Sequence, residues 1–427
     1  MLDQNIIVIV HNQKEQLIQL LNVIADNIDI NWNSFVIVDN YSQDGLNEIL
    51  KDTDFNCIYC DEHVESYATI INTVINEFMM EGTVYVTSPK YIFDVHMVEI
   101  LNSTLQKEHF IAVSPSDLYY KNLSEYWKSL DLNPMSVLYD VNKLKKMGML
   151  DENLITAENV LKDYIFRAIN QKEFAAQCYV EQINENVEYN NDATYNMQQN
   201  EHDRQVLKKK WNMNYFNTIP NIGLVYMMQS KPDDKITVLE VGCDCGANLI
   251  AIHNAYRNAK LYGIEINEDA VKIASNVFNV QTVNIEEENL KYEQDSFDYI
   301  IFGDVLEHLH EPERVVSYSR SILKEDGRII ACIPNLMHYS VMKELLNGNF
   351  TYRDTGLLDR THIHFFTFNE ILRLFNEAGY EIENISSVGG VKNDKDMEFV
   401  KRMIKISSGA EEHMFTTFQY LVSAIKK

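Results

Sequence analysis

Short apolar runs alternate with amphipathic segments over the first 185 residues of the chain. The apolar runs are rich in isoleucine, valine and aromatic residues, which is typical of buried strands, and they lie at residues 6–10, 35–38, 56–59 and 83–86. Between the first two runs, residues 14–25 place leucine and isoleucine at helical spacing. Strands that alternate with helices predict a parallel sheet with crossover helices, so we expect one α/β domain over residues 1–185.

The same alternation returns in the second half of the chain and predicts a second α/β domain over residues 216–427. Its predicted strands lie at residues 238–241, 261–266, 297–304, 328–334 and, as a long antiparallel last strand, 415–425. Residues 186–215 open with an asparagine-rich stretch and continue with a helical pattern at residues 203–211. We therefore expect a linker and a connecting helix between two doubly wound domains.

The strand at residues 238–241 is followed by a turn with two glycines, Gly242 and Gly246, and a helix is expected to begin at Ala247. Such a turn lets a ligand lie against the backbone at the positive end of a helix. Glu265 closes the next predicted strand, where a carboxylate can accept hydrogen bonds from ribose hydroxyls. This layout predicts a nucleoside-binding site.

The residues of this turn also indicate which nucleoside it binds. A dinucleotide fingerprint has the spacing G-x-G-x-x-G, but Asp244 and Ala247 stand at its second and third glycine positions. A pyrophosphate would meet the carboxylate of Asp244, which is repulsive. A cofactor with a cationic centre and an amino-acid tail meets less repulsion, and S-adenosyl-L-methionine (SAM) fits that description.

Three further segments carry a family resemblance. An apolar strand ends at Asp304, residues 305–309 open the next helix, and residues 323–335 predict a helix end, a glycine turn and a buried strand. In this order the segments resemble the class I SAM-dependent methyltransferases over residues 220–427. Residues 356–367 resemble the segment that closes the acceptor side in methyltransferases of surface-glycan pathways. The resemblance implies a Rossmann-like fold, an enzyme and SAM as cofactor.

The resemblance also implies roles for the donor-site residues. Glu240 and Gly242 would meet the methionine end of SAM, and Glu265 would bind the ribose hydroxyls. The residues implied in cofactor binding are Glu240, Gly242, Asp244, Gly246, Glu265, Ile266, Asn284, Ile285 and Asp304. Asn284 stands where the family often has an aspartate, and an amide can still meet the adenine edge. Taken singly, each glycine has the alternative of a tight turn and each acid that of a helix cap.

Methyl transfer to a hydroxyl also needs a base, and histidine is the usual base near neutral pH. The acceptor-side candidates are His308, His338, His362, His364, Asn335, Tyr352 and Asp359. His308 is the first choice because it follows Asp304 by one helical turn on the same face, and His362 is the second. Asp304 and His338 complete the predicted catalytic set, although each histidine taken singly is more often a structural hydrogen-bonding group.

Two alternatives concern the same region. Asp304, Glu307 and His308 have the spacing of metal ligands on one helix face, but an acid-rich first helical turn explains them more simply, so we expect no metal site. The phenylalanines of residues 365–368 predict an aromatic floor for a sugar ring, and core packing is the more common fate of such residues.

Four segments of the first domain resemble the GT-A glycosyltransferases of family 2. These segments are residues 10–12, 38–45, 148–154 and 158–167. In that family the acid after the second strand pairs with the nucleotide base, which here implies Asp39.

The metal-binding motif of that family is missing from the first domain. After the fourth strand the family has Asp-x-Asp, whereas this chain has Thr87-Ser88-Pro89-Lys90-Tyr91 and no carboxylate until Asp94. Without those acids a divalent ion on the leaving diphosphate has no anchor, although Lys90 offers a fixed positive charge. We therefore expect a degenerate domain that binds the acceptor. The alternatives are a bifunctional enzyme that still transfers sugar and a docking module for a glycan or a protein.

Composition narrows the partners and the compartment. The net charge of -26 and the pI near 4.8 argue against nucleic acid and against anionic membrane surfaces. No apolar run reaches the roughly 18 residues that span a bilayer, and we expect no signal peptide. The six cysteines form only two close pairs, Cys57 with Cys60 and Cys243 with Cys245, which predicts reduced packing residues in a cytoplasmic protein. The sequence does not set the oligomeric state.

Together these patterns predict a cytoplasmic SAM-dependent methyltransferase that modifies a hydroxyl or amine of a sugar or sugar-linked group. The acceptor would be a surface polysaccharide precursor or a flagellin glycan. This acceptor follows from the resemblance and from the companion domain, not from residue spacing.

Overall fold

The computed structural model describes residues 4–27, 31–89, 95–116, 125–180, 193–212, 217–287 and 292–427. The chain divides into two compact units, Met1–Ile219 and Pro220–Lys427. Lys90, Asp94 and the asparagine-rich start of the predicted linker lie outside the described residues.

The amino-terminal unit alternates strands and helices through its first half, as its hydrophobic pattern predicts. Its strands are β1 (Asn5–Val10), β2 (Phe35–Asp39), β3 (Asn56–Tyr59), β4 (Thr83–Thr87), β5 (Ala112–Ser116), β6 (Tyr126–Ser129), β7 (Ser136–Asp140) and β8 (Ala175–Tyr179). Its helices are α1 (Lys14–Asn27), α2 (Leu46–Leu50), α3 (Tyr67–Glu77), α4 (Val95–Lys107), α5 (Val141–Lys146), α6 (Ala157–Ile169) and α7 (Ala193–Trp211). Side-chain oxygens of Ser66 and Thr156 cap α3 and α6 at their first turns.

The sheet of this unit has the strand order β3-β2-β1-β4-β7-β5-β8-β6. Its first four strands are parallel, because a helix crosses over between each pair. Beyond β4 the sheet is mixed, and β7 runs antiparallel to β4 and β5. The expectation of a parallel sheet therefore holds for one half only, because β6 and β7 both run antiparallel to their neighbours in the sheet.

Helix α7 is joined to the amino-terminal unit by its contacts. The carboxylate of Asp203 accepts hydrogen bonds from two backbone N–H groups at the start of α6, each at 2.8 Å. Lys210 and Trp211 both donate to the buried Asp163 of α6, at 2.7 and 3.0 Å. The segment that we expected to be a connecting helix is thus held on α6, and the boundary between the units falls after it.

The carboxyl-terminal unit has a second set of strands and helices. Its strands are β9 (Thr237–Val241), β10 (Lys260–Glu265), β11 (Asn279–Thr282), β12 (Phe297–Gly303), β13 (Leu323–Pro334), β14 (Tyr380–Val388) and β15 (Gln419–Lys426). Its helices are α8 (Ile222–Met227), α9 (Ala247–Ala255), α10 (Glu268–Ala274), α11 (Pro312–Ile322), α12 (Tyr339–Leu346), α13 (Phe368–Glu377), α14 (Asp394–Ile406) and α15 (Glu412–Thr416).

The last predicted strand is shorter than expected. Phe415 belongs to α15 and is buried against Tyr339 of α12 and against Val400 and Met403 of α14, so the strand begins only at Gln419. The antiparallel direction predicted for this strand is observed, because β15 runs antiparallel to both β13 and β14. Packing against neighbouring helices therefore overrides the β-propensity of residues 415–418.

The sheet order of this unit, β11-β10-β9-β12-β13-β15-β14, fixes where a ligand can bind. The strand order reverses between β9 and β12, which are parallel neighbours with Val241 paired to Phe302. In such sheets ligands bind at the carboxyl ends of the strands beside this reversal. None of the helices in the described part of the chain is long and apolar enough to cross a membrane.

Candidate functional site

The turn after β9 contains two glycines with positive φ at the carboxyl end of this strand. Gly242 has a φ of +70°, and its N–H donates to the carbonyl of Ile264 at 2.8 Å. A Cβ atom at Gly242 would lie 2.6 Å from Cγ2 of Val305, so glycine suits both the backbone and the space. Gly246, with a φ of +90°, caps α9, whose first N–H groups therefore open at this turn.

Glu265 ties this turn to the end of β10. Its Oε2 accepts the N–H of Asp244 and its Oε1 accepts the N–H of Asn267, both at 2.9 Å. Each carboxylate oxygen keeps a further lone pair with which to accept a ribose hydroxyl. The next residue, Ile266, leaves 65% of its side chain exposed, an apolar surface that an adenine ring would cover.

Glu240 lies at the bottom of the same site. Only 1% of it is exposed, and Nδ2 of Asn248 donates to its Oε1 at 2.7 Å. Its Oε2 is buried without a hydrogen-bond partner. Burial raises the pKa of this carboxyl group to about 8. An ammonium group, such as that of the methionine end of SAM, would supply the missing partner, so these residues fit the cofactor.

The segment after β11 reaches the same edge of the sheet. Oδ1 of Asn284 accepts the N–H of Glu286 at 3.1 Å, and Ile285 is buried in the core beside Ile264. Oε1 of Glu286 accepts the backbone N–H groups of His310 and Glu311, at 2.7 and 2.9 Å. The segment predicted to face adenine is therefore fixed to the loop after β12.

Asp304 stands where β12 ends, but not on a helix face with His308. Its φ is +55°, and only a single 3-10 turn, Leu306–His308, follows before α11 begins. The prediction that Asp304 and His308 share one helix face is therefore wrong. Gln419 of β15 donates to Oδ1 of Asp304, and burial raises the pKa of this carboxyl group.

The 3-10 turn instead brings Glu307 and His308 to His362, and these three residues are called the acid–imidazole cluster below. The carbonyl of Glu307 accepts the N–H groups of Ile363 and His364 at 2.9 and 3.0 Å, which docks the loop that carries His362. The imidazole rings of His308 and His362 lie 4.9 Å apart between centroids. Two of the four predicted catalytic residues thus meet through contacts between distant segments.

The other candidate bases lie in different surroundings. His338 stands at the start of α12, where its Nδ1 bonds Oγ of Ser340 at 2.8 Å and its ring contacts Tyr339 and Phe418. Burial lowers the pKa of His338 to about 4. Asn335 is fully buried and donates to two backbone carbonyls, at 2.9 and 2.7 Å. These contacts hold the loop after β13, and Nε2 of His338 is buried without a hydrogen-bond partner.

The aromatic surface of this region differs from the predicted one. Phe366 is buried in the core, and Phe368 packs on His413 and Tyr420. The open aromatic face is formed by Phe350, Tyr352 and Phe365, with ring centroids 5.5 to 6.3 Å apart. Phe350 and Tyr352 are 40% and 48% exposed, and Phe365 also contacts the ring of His362. The face therefore adjoins the acid–imidazole cluster.

In the amino-terminal unit, the loops at the corresponding edge bind to one another. Asp39 is 3% exposed, and its Oδ1 accepts the N–H of Ser42 at 3.0 Å. The N–H of Asn12 donates to Oγ of Ser42 at 3.0 Å. Asn40 and the backbone of Val64 exchange two hydrogen bonds, at 2.9 and 2.8 Å. The polar groups after β1 and β2 thus stabilise their own loops.

Three residues of the carboxyl-terminal site escaped the sequence analysis. Asn248, which holds Glu240, could have been found because it is the second residue of the helix after the glycine turn. Gln419 and Phe350 meet the site only through the fold, and no local pattern marks them.

The carboxyl-terminal unit is similar in sequence to known methyltransferases. A family profile described as a methyltransferase domain matches residues 222–385. An uncharacterized protein of Methanocaldococcus jannaschii is 26% identical over 192 residues, which cover 41% of this chain and 74% of that protein. A ubiquinone biosynthesis O-methyltransferase of Coxiella burnetii is 22% identical over 167 residues, which cover 38% of this chain and 70% of that enzyme.

Solved structures of methyltransferases also align with about half of the chain. An S-adenosylmethionine dependent methyltransferase from Mesorhizobium loti is 16% identical with a TM-score of 0.34, and the alignment covers 48% of this chain and 95% of that one. A SAM dependent methyltransferase from Aquifex aeolicus is 16% identical with a TM-score of 0.32, and the alignment covers 48% of this chain and 87% of that one.

The matched profile includes the glycine turn, Glu265 and the acid–imidazole cluster. The buried carboxyl oxygen of Glu240 that has no partner suits the ammonium of the methionine end of SAM. The carboxyl-terminal unit therefore carries a class I methyltransferase domain, and the protein is an enzyme that uses S-adenosyl-L-methionine as its methyl donor.

Proposed function

We propose that this enzyme transfers the methyl group of SAM to a hydroxyl or amine of a sugar or sugar-linked group during the synthesis of a surface glycan, either a polysaccharide or a flagellin glycan. One observation carries the proposal. The glycine turn follows β9 and the acid–imidazole cluster follows β12, its hydrogen-bonded neighbour in the sheet. A donor and an acceptor bound at these two strand ends are held side by side.

On the donor side, Oε2 of Glu240 accepts the ammonium of SAM and Glu265 accepts its ribose hydroxyls. Ile266 covers one face of the adenine ring, while Asn284 and Ile285 meet its edge. Gly242, Asp244 and Gly246 supply the backbone against which the methionine end lies. The buried oxygen of Glu240 and the exposed side chain of Ile266 support these roles.

On the acceptor side, the reaction is an in-line displacement. A lone pair of the acceptor oxygen forms a bond to the methyl carbon as the carbon–sulfur bond breaks, and neutral S-adenosylhomocysteine leaves. The proton of the acceptor hydroxyl is lost at the acid–imidazole cluster, where His308 and His362 carry the deprotonation. Asp304, which follows β12 directly and accepts a hydrogen bond from Gln419, precedes this cluster in the chain.

The acceptor is proposed to be a hydroxyl on a sugar ring. The Coxiella burnetii relative is an O-methyltransferase, which favours oxygen over nitrogen as the acceptor atom. The exposed rings of Phe350 and Tyr352, packed edge to face, offer an apolar surface beside the cluster, and the C–H face of a sugar can pack on one of these rings. The net charge of -26 disfavours an anionic polymer such as nucleic acid.

The amino-terminal unit is proposed to be a degenerate GT-A-like domain that binds the acceptor. One carboxylate oxygen of Asp39 accepts the N–H of Ser42. Helix α7 lies on the segment that would face a sugar acceptor, where Lys210 forms ion pairs with Asp151 and Asp163. Sugar transfer by this unit and simple docking of a glycan or a protein are the alternatives. The six free cysteines support a cytoplasmic location.

Calorimetric titration tests both halves of this proposal. S-adenosylhomocysteine is titrated into the full chain, and UDP with Mn²⁺ is titrated in a separate run. Binding of S-adenosylhomocysteine without binding of UDP is the expected result. Binding of both would favour the bifunctional alternative, and binding of neither would refute the donor site.

Acceptor chemistry is tested with SAM and a panel of simple glycosides and aromatic alcohols, with formation of S-adenosylhomocysteine as the readout. We expect turnover with at least one glycoside. Phe350→Ala should raise KM for that glycoside with little change in kcat, because the ring binds the acceptor without taking part in the displacement. Turnover confined to aromatic alcohols would refute the sugar acceptor while leaving methyl transfer intact.

A further inference from the structure

Glu307 is in an environment that a lone carboxylate does not tolerate. Its side chain is 1% exposed, and neither carboxylate oxygen has a hydrogen-bond partner. A buried carboxylate without a partner costs several kcal/mol, so such a group is normally paired with a cation or a donor.

The two imidazoles beside Glu307 are oriented as metal-ligating histidines are. Nδ1 of His308 lies 3.1 Å from the carbonyl of Thr361, and Nδ1 of His362 lies 3.2 Å from the carbonyl of Leu357. Since a carbonyl can only accept, each Nδ1 carries the proton and each Nε2 keeps its lone pair. A carbonyl behind the ring is the usual outer support of a histidine that ligates a metal through its other nitrogen.

The three side chains converge. One ligand atom from each of Glu307, His308 and His362 can be chosen so that all lie within 4.8 Å of one another, and Nε2 of His362 is 4.0 Å from Oε1 of Glu307. Ligands at about 2.1 Å from a tetrahedral ion are roughly 3.4 Å apart, so an ion needs only a small closure of the cluster. His308 is exposed and therefore free to make this movement.

We propose that Glu307, His308 and His362 bind a divalent cation of the zinc class, with at least one coordination position left open. Two imidazoles and one carboxylate suit zinc, cobalt or iron(II) better than magnesium or calcium, which prefer oxygen ligands. The cation gives the buried carboxylate its missing partner. Compared with the set Asp304, Glu307 and His308 indicated by the sequence spacing, His362 takes the place of Asp304.

This inference rests on the proposed methyl transfer to a hydroxyl and says how the cluster removes the proton. The acceptor oxygen occupies the open position, and the cation lowers the pKa of the bound hydroxyl. The proton leaves to solvent on the exposed side of His308, the oxygen lone pair forms the bond to the methyl carbon, and the carbon–sulfur bond breaks. His308 and His362 then act through the cation.

Metal binding is measured first on the full chain after dialysis against a chelator, with Co²⁺ and Zn²⁺ alone as probes. We expect one tight site per chain, seen as visible Co²⁺ absorption that Zn²⁺ abolishes. Glu307→Gln and His308→Asn should each weaken Co²⁺ binding at least about 10-fold. His308→Asn is the safer variant for folding because this ring is exposed. The matched controls Glu398→Gln and His96→Asn alter exposed side chains elsewhere and should bind Co²⁺ as the wild type does.

Two outcomes would overturn the metal site: absence of Co²⁺ binding, or binding that survives both cluster variants. Methyl transfer that continues unchanged in the chelated protein would likewise refute it and leave the proposed function standing. S-adenosylhomocysteine binding separates the two ideas, because its affinity should not depend on the metal. Absence of S-adenosylhomocysteine binding both with and without Co²⁺ would refute the donor site and with it the proposed function.

Discussion

The two units of this chain have similar sheet edges, but the polar side chains at these edges differ in whether they have hydrogen-bond partners. In each unit, parallel strands run outward on both sides of the first strand, β1 or β9, and the loops at their carboxyl ends meet beside it. In the amino-terminal unit, the side chains of Asp39 and Asn40 bond to neighbouring backbone. In the carboxyl-terminal unit, Glu240 and Glu307 are buried with oxygens that have no partner.

This difference distinguishes a loop that stabilises itself from a loop that is completed by a ligand. A buried polar group without a partner destabilises the empty protein, so it persists where binding supplies the partner. Among the described residues, Asp39 and Asn40 at the amino-terminal edge have protein partners, whereas Glu240 and Glu307 at the carboxyl-terminal edge keep oxygens without one.

The largest effect is expected at the glycine turn. Gly242→Val should weaken S-adenosylhomocysteine binding more than about 100-fold, because the new Cβ meets Val305 at 2.6 Å and the residue must keep a φ of +70°. Calorimetry measures the affinity, and circular dichroism checks that the variant is folded. Gly45→Ala is the control in the other unit: its φ is +77°, the nearest atom to a new Cβ is Nζ of Lys14 at 3.7 Å, and the variant should bind normally. Affinity within 3-fold of the wild type in Gly242→Val would refute the turn as the donor site.

The next effect is on the free energy of unfolding and on how it changes with pH. The folded pKa of Glu240, about 8, lies above its unfolded value of 4.5, so the folded state holds the proton more tightly. This contribution to the free energy of unfolding is fully present below pH 4.5 and is lost as the pH rises to 8, by up to about 1.4 kcal/mol per unit. Relative to the wild type, Glu240→Gln should gain about 2 kcal/mol between pH 5.5 and 7.5 in urea unfolding. An unchanged difference between the two proteins would contradict the raised pKa.

A smaller effect is expected on donor binding by the same variant. Glu240→Gln should weaken S-adenosylhomocysteine binding about 10-fold, or 1.4 kcal/mol, because a charged partner for the ammonium is lost. At pH 7 the wild type should release close to one proton on binding, since the ammonium stabilises the ionised carboxylate. Calorimetry in phosphate and Tris buffers measures this release, which should vanish in Glu240→Gln and persist in Glu398→Gln. Equal heats in both buffers for the wild type would sink this assignment.

The smallest effect is expected in the amino-terminal unit. Asp39→Asn should change kcat/KM for methyl transfer less than about 2-fold, since Asp39 supports only its own loop. The wild type should show no saturable binding of UDP with Mn²⁺. Saturable UDP binding that Asp39→Asn abolishes would instead restore the bifunctional alternative and remove the contrast between the two edges.

Local patterns were sufficient for the parallel half of each sheet. The run at residues 6–10 becomes β1, and the turn between Gly242 and Gly246 is followed by α9 at Ala247, as predicted. Both features depend on residues adjacent in sequence, so apolar runs and glycines reveal them. The α/β class and the two parallel-rich sheets are confirmed.

Long-range packing explains what the sequence could not provide. The residues after β12 have helical spacing, yet Glu307 anchors a loop more than 50 residues away, and the chain forms only a 3-10 turn there. Gln419 reaches Asp304 from a strand 115 residues later. The acid–imidazole cluster was therefore predicted in part, through His308 and His362, while its geometry depends on contacts that no local pattern encodes.

The position of β15 has a consequence for synthesis on the ribosome. This strand lies between β13 and β14 in the sheet although it follows both in the chain, and its first residue, Gln419, holds Asp304. A nascent chain can form the glycine turn early, but β14 has no neighbour until residues 419–426 emerge. The glycine turn can therefore form during translation, whereas Asp304 gains its partner Gln419 only when β15 is inserted into the sheet.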